Sequence, residues 1–141
     1  MCGIFGCIHR SNLDFTIHDF NKINQDLSHR GPDSDGVVEI LKAENSIKLG
    51  HNRLSILDLS QNGNQPMISH SERFSISFNG EIYNHLELRN KYLINKKIKW
   101  KGTSDTETLL SLFENFDFEF VLQIIDGMFA IILYDHKNNY I

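Results

Sequence analysis

At 141 residues the chain has the length of one ordinary domain, and 40% hydrophobic with 11% aromatic residues is enough for a packed core. Its net charge of −4 gives no electrostatic reason to expect nucleic acid or an anionic membrane as a partner. The longest unbroken apolar run, "MFAIILY" from Met128 to Tyr134, is far short of the about 20 residues that span a bilayer, and the N-terminus lacks the features of a secretion signal, so the expectation is a cytoplasmic protein.

The stretch "CGIFGCI" (Cys2 to Ile8) predicts a buried strand. On such a strand Cys2 and Cys7 fall on opposite faces, which argues against a disulfide between them. The seven histidines lack zinc-like spacing, and no metal is expected. Phe20, Ile23 and Leu27 are spaced for one face of a helix, which breaks at the turn cluster "RGPDSDG". "VVEI" and "IKLG" predict strands, the second running on through "HNRLSI". "FSISF" alternates from Phe74 to Phe78 and ends at Asn79-Gly80. Two capped helices come next. Ser104 and Glu107 fit a capping box, and Asn84 with Glu87 is a near variant. "FEFVLQI" predicts a short helix ending near Asp126-Gly127. "MFAIILYD" predicts a strand buried on both faces, with "HKNN" as a hairpin turn and Tyr140-Ile141 opening a partner strand. Grouped strands with paired helices between them favour α+β with antiparallel sheets. No phosphate-binding loop of the G-x-x-x-x-G-K-[ST] or G-x-G-x-x-G type is present.

Cys2 stands directly behind the start methionine. Removal of Met1 would leave one residue with both a thiol and a free α-amine. The reference pKa of the amine is about 7.7–8.0 and that of the thiol about 8.5, so the amine can accept the thiol proton without a histidine. The alternative is a small buried strand residue. "FNGEIYN" also reads two ways. Asn-Gly after an alternating strand is a hairpin-turn signal. Equally, the Asn79 side-chain amide and the Gly80 N–H could face a developing oxyanion. Arg53, in "GHNRLSILD", is costly in an apolar strand unless paired, either in an internal salt bridge or as a bidentate clamp on a carboxylate. Glu81 and Asp105 complement it, although Asp105 also suits a helix N-terminus. Together the three could hold both ends of an α-amino acid. Arg30, Asp33 and Asp35 in "RGPDSDG" read as a solvated turn.

Taken in order, "MCGIFG", "HRGPDSDG", "GHNRLSILDLS", "NQPM", "FNGEIYNHLELR", "SDTETLL" and "DGMFAIILYD" resemble the glutaminase domain of class II glutamine amidotransferases, in the asparagine synthetase branch. The resemblance covers nearly the whole chain. It implies an Ntn-hydrolase fold, an αββα four-layer sandwich of two antiparallel sheets, over residues 1–141. It implies hydrolysis of glutamine, with Cys2 as nucleophile, its own amine as base, and Asn79 and Gly80 as oxyanion donors. Arg53 would hold the substrate α-carboxylate, Glu81 and Asp105 its ammonium, and backbone at Leu54, Ile56 and Leu57 would line the pocket. Ammonia would pass to a synthetase domain or partner subunit that uses ATP and magnesium. No cofactor is expected in this domain. Relatives of this branch continue past the "YD" strand, so the expectation is a C-terminally incomplete glutaminase domain with an open sheet edge. The competing expectation is a non-catalytic remnant or glutamine-binding regulatory module.

Overall fold

The computed structural model describes residues 2–10 and 15–141. Among the described residues, six strands form two antiparallel sheets. The first sheet contains β1 (Gly3–Arg10), β2 (Ser34–Leu41) and β3 (Asn45–Arg53), in the order β1-β3-β2. The second contains β4 (Met67–Ile68), β5 (Phe74–Ile82) and β6 (Gly127–Asp135), in the order β4-β5-β6. Helix α1 (Ile17–Asp26) packs on the first sheet, and α3 (Asp105–Asn115) packs on the second beside α2 (His85–Leu88) and α4 (Phe118–Ile124). The sheets face each other between these helices, giving the α+β, Ntn-like sandwich that the sequence predicts.

Strand alternation sorts the side chains between these layers. On β5, Phe74, Ile76 and Phe78 face the helices and pack with Leu109, Leu112 and Phe113 of α3, which share a helix face at i, i+3 and i+4. Their neighbours on β5, Ser75 and Ser77, are also fully buried, on the side facing the first sheet. On β3 the odd positions face inward. Ile47 and Leu49 meet Ile132 and Tyr134 of β6 there. The even face looks toward α1, where Phe5 of β1 stacks on Phe20 with ring centroids 4.2 Å apart.

Several local expectations are corrected. Asn79-Gly80 is not a turn: β5 runs through both, pairing Asn79 with Ala130 and Gly80 with Phe129. A nine-residue ladder to β6 outweighs the local turn preference of the dipeptide. β3 ends at Arg53, so "LSI" is loop. In α1 the buried residues are Phe20 and Asn24, whereas Ile23 is 41% exposed. The amide of Asn24 donates to Asp35 at 3.3 Å, which turns the helix face toward β2. Asn84 makes no cap bond. It ties the end of α4 to the start of β6 instead, donating to Ile124 O at 2.9 Å and accepting from Asp126 N at 3.0 Å. Ser104 caps α3, but Glu107 reaches the Lys101 and Gly102 amides and so does not close the box. The reciprocal box is at Thr16 and Asp19 of α1. Finally, β6 is apolar without being buried on both faces. Met128 is 52% and Phe129 41% exposed, and β6 is the outer strand of its sheet.

Candidate active site

One pocket, at the end of the sandwich where β1, β3 and β5 converge, is lined by Cys2, Arg53, Leu54, Ile56, Leu57, Asn79, Gly80, Glu81 and Asp105. The lining includes all nine positions that the resemblance implies for the site. Strand register explains the convergence. Gly3 pairs with Asn52, so Cys2, one residue earlier, falls opposite Arg53 at the end of β3. Cys2, Arg53, Asn79 and Glu81 all take the inward-facing parity of their strands. Met1, whose removal the Cys2 reading requires, lies outside the described residues.

The Cys2 thiol is half-buried and held by the first residue beyond β3. The Leu54 N–H donates to Sγ at 3.3 Å, and Sγ lies 3.7 Å from the Leu54 carbonyl. Asp33 brackets Leu54: its amide donates to Arg53 O at 3.0 Å, and its carboxylate accepts from Ser55 N at 2.7 Å. The "RGPDSDG" turn is therefore a brace for the residue that touches the thiol, rather than a solvated loop. Cys7 is a second free thiol on β1, with the opposite parity to Cys2.

Arg53 is 7% exposed and has no carboxylate partner among the described residues. Nη1 donates to Ser60 O at 2.8 Å and to Asn64 Oδ1 at 3.0 Å, and Nη2 donates to Asp58 O. A guanidinium has five N–H groups. Three hold the loop 58–64, which leaves Nε–H and one Nη2–H, adjacent on one edge and matched to a carboxylate. Gly63 makes this seat: a Cβ there would overlap Nη2. Asp58, Ser60 and Asn64 lie within the motifs that carry the resemblance, but no role was expected of them, and two of the three acceptors are backbone carbonyls, which carry no side-chain signature.

The acidic end of the pocket is equally well fixed. Asp105 is buried at the first turn of α3. Its Oδ2 accepts from Ile82 N at 2.9 Å and its Oδ1 from Thr106 N at 2.8 Å, locking helix to strand. Burial, and then the charge of Asp105, raise the Glu81 carboxyl above its ordinary 4.5. Asn79 lines the same pocket, and its buried side-chain oxygen has no partner among the described residues. Gly80 is required by the fold itself, since a Cβ would overlap the backbone of Met128 and Phe129 on β6. Gln65 and Thr106 also line this pocket and were not anticipated. The arrangement combines a backbone-held thiol, a planar cation with a free edge, and a carboxylate pair.

Two facing antiparallel sheets between helices form an α+β, Ntn-like sandwich. The family model of the glutamine amidotransferase domain matches residues 1–141. The chain is 37% identical to a putative glutamine-hydrolysing asparagine synthetase of Methanocaldococcus jannaschii, in an alignment covering 100% of this chain and 29% of that protein. It is likewise 37% identical to the glutamine-hydrolysing asparagine synthetase 1 of Bacillus subtilis, over 100% of this chain and 22% of the relative. It is 38% identical to the amidase chyE of Penicillium rubens over 77% of this chain and 15% of the relative. The chain belongs to the glutamine amidotransferase domain family. It spans less than a third of the length of these relatives. No helix among the described residues is long and apolar enough to cross a membrane.

Proposed function

We propose that this domain hydrolyses glutamine to glutamate and ammonia, with Cys2 as an N-terminal nucleophile. The free edge of Arg53 takes the α-carboxylate, and Glu81 and Asp105 take the α-ammonium. This fixes both ends of the amino acid and directs its amide toward Sγ. Once Met1 is removed, the Cys2 amine accepts the thiol proton as Sγ attacks the amide carbon. The carbonyl oxygen becomes an oxyanion, stabilised by the Asn79 amide and the Gly80 N–H, each worth about 2.7–4 kcal/mol to the transition state. The proton held on the amine passes to the leaving nitrogen, and ammonia departs. Water, activated by the same amine, then hydrolyses the thioester and releases glutamate. In the whole protein, ammonia would serve ATP-dependent amidation of aspartate to asparagine, with ATP and magnesium bound by a synthetase domain or partner subunit rather than by these residues.

The observation that carries this reading is the meeting of the Cys2 thiol, the unsatisfied edge of Arg53 and the carboxylate pair in one pocket. Intact mass after treatment with an electrophilic glutamine analogue tests it. The expected product lacks Met1 and carries one adduct, on Cys2, and excess glutamine blocks its formation. Cys7 is an internal control. Adduct on Cys7, or none on Cys2, would overturn the reading.

A pH dependence follows from the raised Glu81 carboxyl. Below its pKa the free site holds an extra proton, which an incoming ammonium must displace. Binding then releases a proton, so glutamine affinity increases as pH rises through the window above 4.5 and levels off once Glu81 is ionised. In a Cys2→Ser chain, calorimetric titration with glutamine at several pH values should show this slope. Glu81→Gln should flatten it.

A further inference from the structure

Phe78, the residue directly before Asn79, has no strand partner on one side among the described residues. β4 is only two residues long and pairs Met67 with Ile76 and Ile68 with Ser75. Continued by two residues, that register would set Gln65 against Phe78. The backbone of Gln65 does not take that place, because β4 begins only at Met67, after Pro66. Side chains take over from the missing strand. Gln65 Oε1 accepts from Phe78 N at 2.7 Å. The His51 ring, fully buried on β3, donates from Nε2 to Phe78 O at 3.1 Å. Both outward backbone groups of Phe78 are thus held by side chains from separate elements. His51 also bridges the two sheets through this bond. Gln65 extends the clamp further, because its Nε2 donates to the Thr106 hydroxyl at 3.3 Å, next to Asp105.

We propose that Gln65 and His51 are positioning residues of the oxyanion site, fixing through Phe78 where Asn79 and Gly80 point. The inference rests on the glutaminase reading above. Neither residue is placed to react. Each completes a peptide whose plane sets the direction of the following amide groups. His51 suits the task as a neutral ring: burial lowers its pKa to about 4, and its Nδ1 has no partner among the described residues. It therefore keeps one N–H, on Nε2, across the range in which a glutaminase works.

Displaced oxyanion donors weaken transition-state binding while leaving ground-state contacts with the substrate ends in place. Gln65→Met and His51→Leu are therefore each expected to lower kcat for ammonia release by about tenfold to a hundredfold. KM for glutamine should stay within about twofold, because Arg53 still holds the substrate carboxylate. His51→Gln, which returns an N–H near the position of Nε2, should recover most of the lost kcat. A second probe is the γ-aldehyde of glutamate. Sγ adds to its carbonyl carbon, the C=O π pair moves onto oxygen, and the thiol proton goes to the amine. Affinity for this adduct should fall in step with kcat, while alkylation of Cys2 by iodoacetamide stays unchanged.

Unchanged kcat in both variants overturns the inference. So does a KM that rises in step with the kcat loss, or slowed alkylation, either of which marks a general loosening of the pocket. Each variant decides by itself if the other loses cooperative unfolding. Fast hydrogen exchange of the Phe78 amide in the unsubstituted chain overturns the inference with no variant at all. An unsubstituted chain that releases no ammonia removes the glutaminase reading first, and this inference with it.

Discussion

A chain that keeps Met1, or carries any extension ahead of Cys2, is expected to release no measurable ammonia from glutamine while unfolding at the same temperature as the processed chain. An amine locked in a peptide bond has no lone pair to accept a proton. Among the described residues no histidine or carboxylate lies within hydrogen-bond reach of Sγ, whose partners are both backbone atoms of Leu54. Loss of a general base costs about 10²–10⁴-fold. In the mechanism proposed above the same amine would also supply the leaving-group proton and activate the water, so the losses would fall on every step. The fold should not register the change, because β1 begins at Gly3 and its ladder to β3 starts there. Paired measurements of ammonia release and thermal unfolding on tagged and processed chains give the answer. Full activity with Met1 attached would refute an N-terminal nucleophile.

The second large effect is expected at the carboxylate end of the pocket. Arg53→Lys keeps the charge and loses the planar fork. Glutamine affinity should fall by about 1.5–3 kcal/mol, the range for a charge-assisted hydrogen bond. The loop 58–64 should loosen too, since Ser60 O, Asn64 Oδ1 and Asp58 O lose their donors. Gly63→Ala separates geometry from charge. It leaves the arginine intact but fills the space behind Nη2, so the guanidinium must move. A weakened affinity for glutamine in both variants, measured in a Cys2→Ser background, supports the clamp. Unchanged affinity in both would make Arg53 a brace for its own loop.

The pocket was legible in the sequence where chemistry sits on side chains, and illegible where it sits on backbone. Cys2, Arg53, Asn79, Glu81 and Asp105 carry unusual groups in apolar or glycine-marked surroundings, and all line the pocket. The seat of Arg53 consists mostly of carbonyls, which any residue could supply. Gln65 precedes a proline in a stretch with no periodicity, so nothing local marks its side chain as a substitute for a strand. The helix α4 was legible to the residue, and the two-sheet architecture followed from the grouping of strands and the resemblance. Local signals failed where distant partners outbid them. Asn79-Gly80 is a good turn dipeptide until β6 lies alongside it. Asn84 is a good cap until Ile124 and Asp126 offer better bonds. On β6, apolar composition was mistaken for burial, although composition alone does not say what covers an edge strand.

The bond between Cys2 and Leu54 joins residues 52 positions apart. It cannot form until β3 has been synthesised and paired with β1, and the pocket closes only when β5 and α3, later still, have joined. Contacts of such long sequence separation form slowly. The thiol is therefore made well before the residues that hold it in place. During that interval it is an unshielded cysteine on a nascent chain, open to oxidants and to stray electrophiles. Damage then would leave a molecule that folds normally and is silent. If Cys2 is the nucleophile proposed above, its own titratable thiol, counted apart from that of Cys7, measures competent molecules better than any spectrum of the fold.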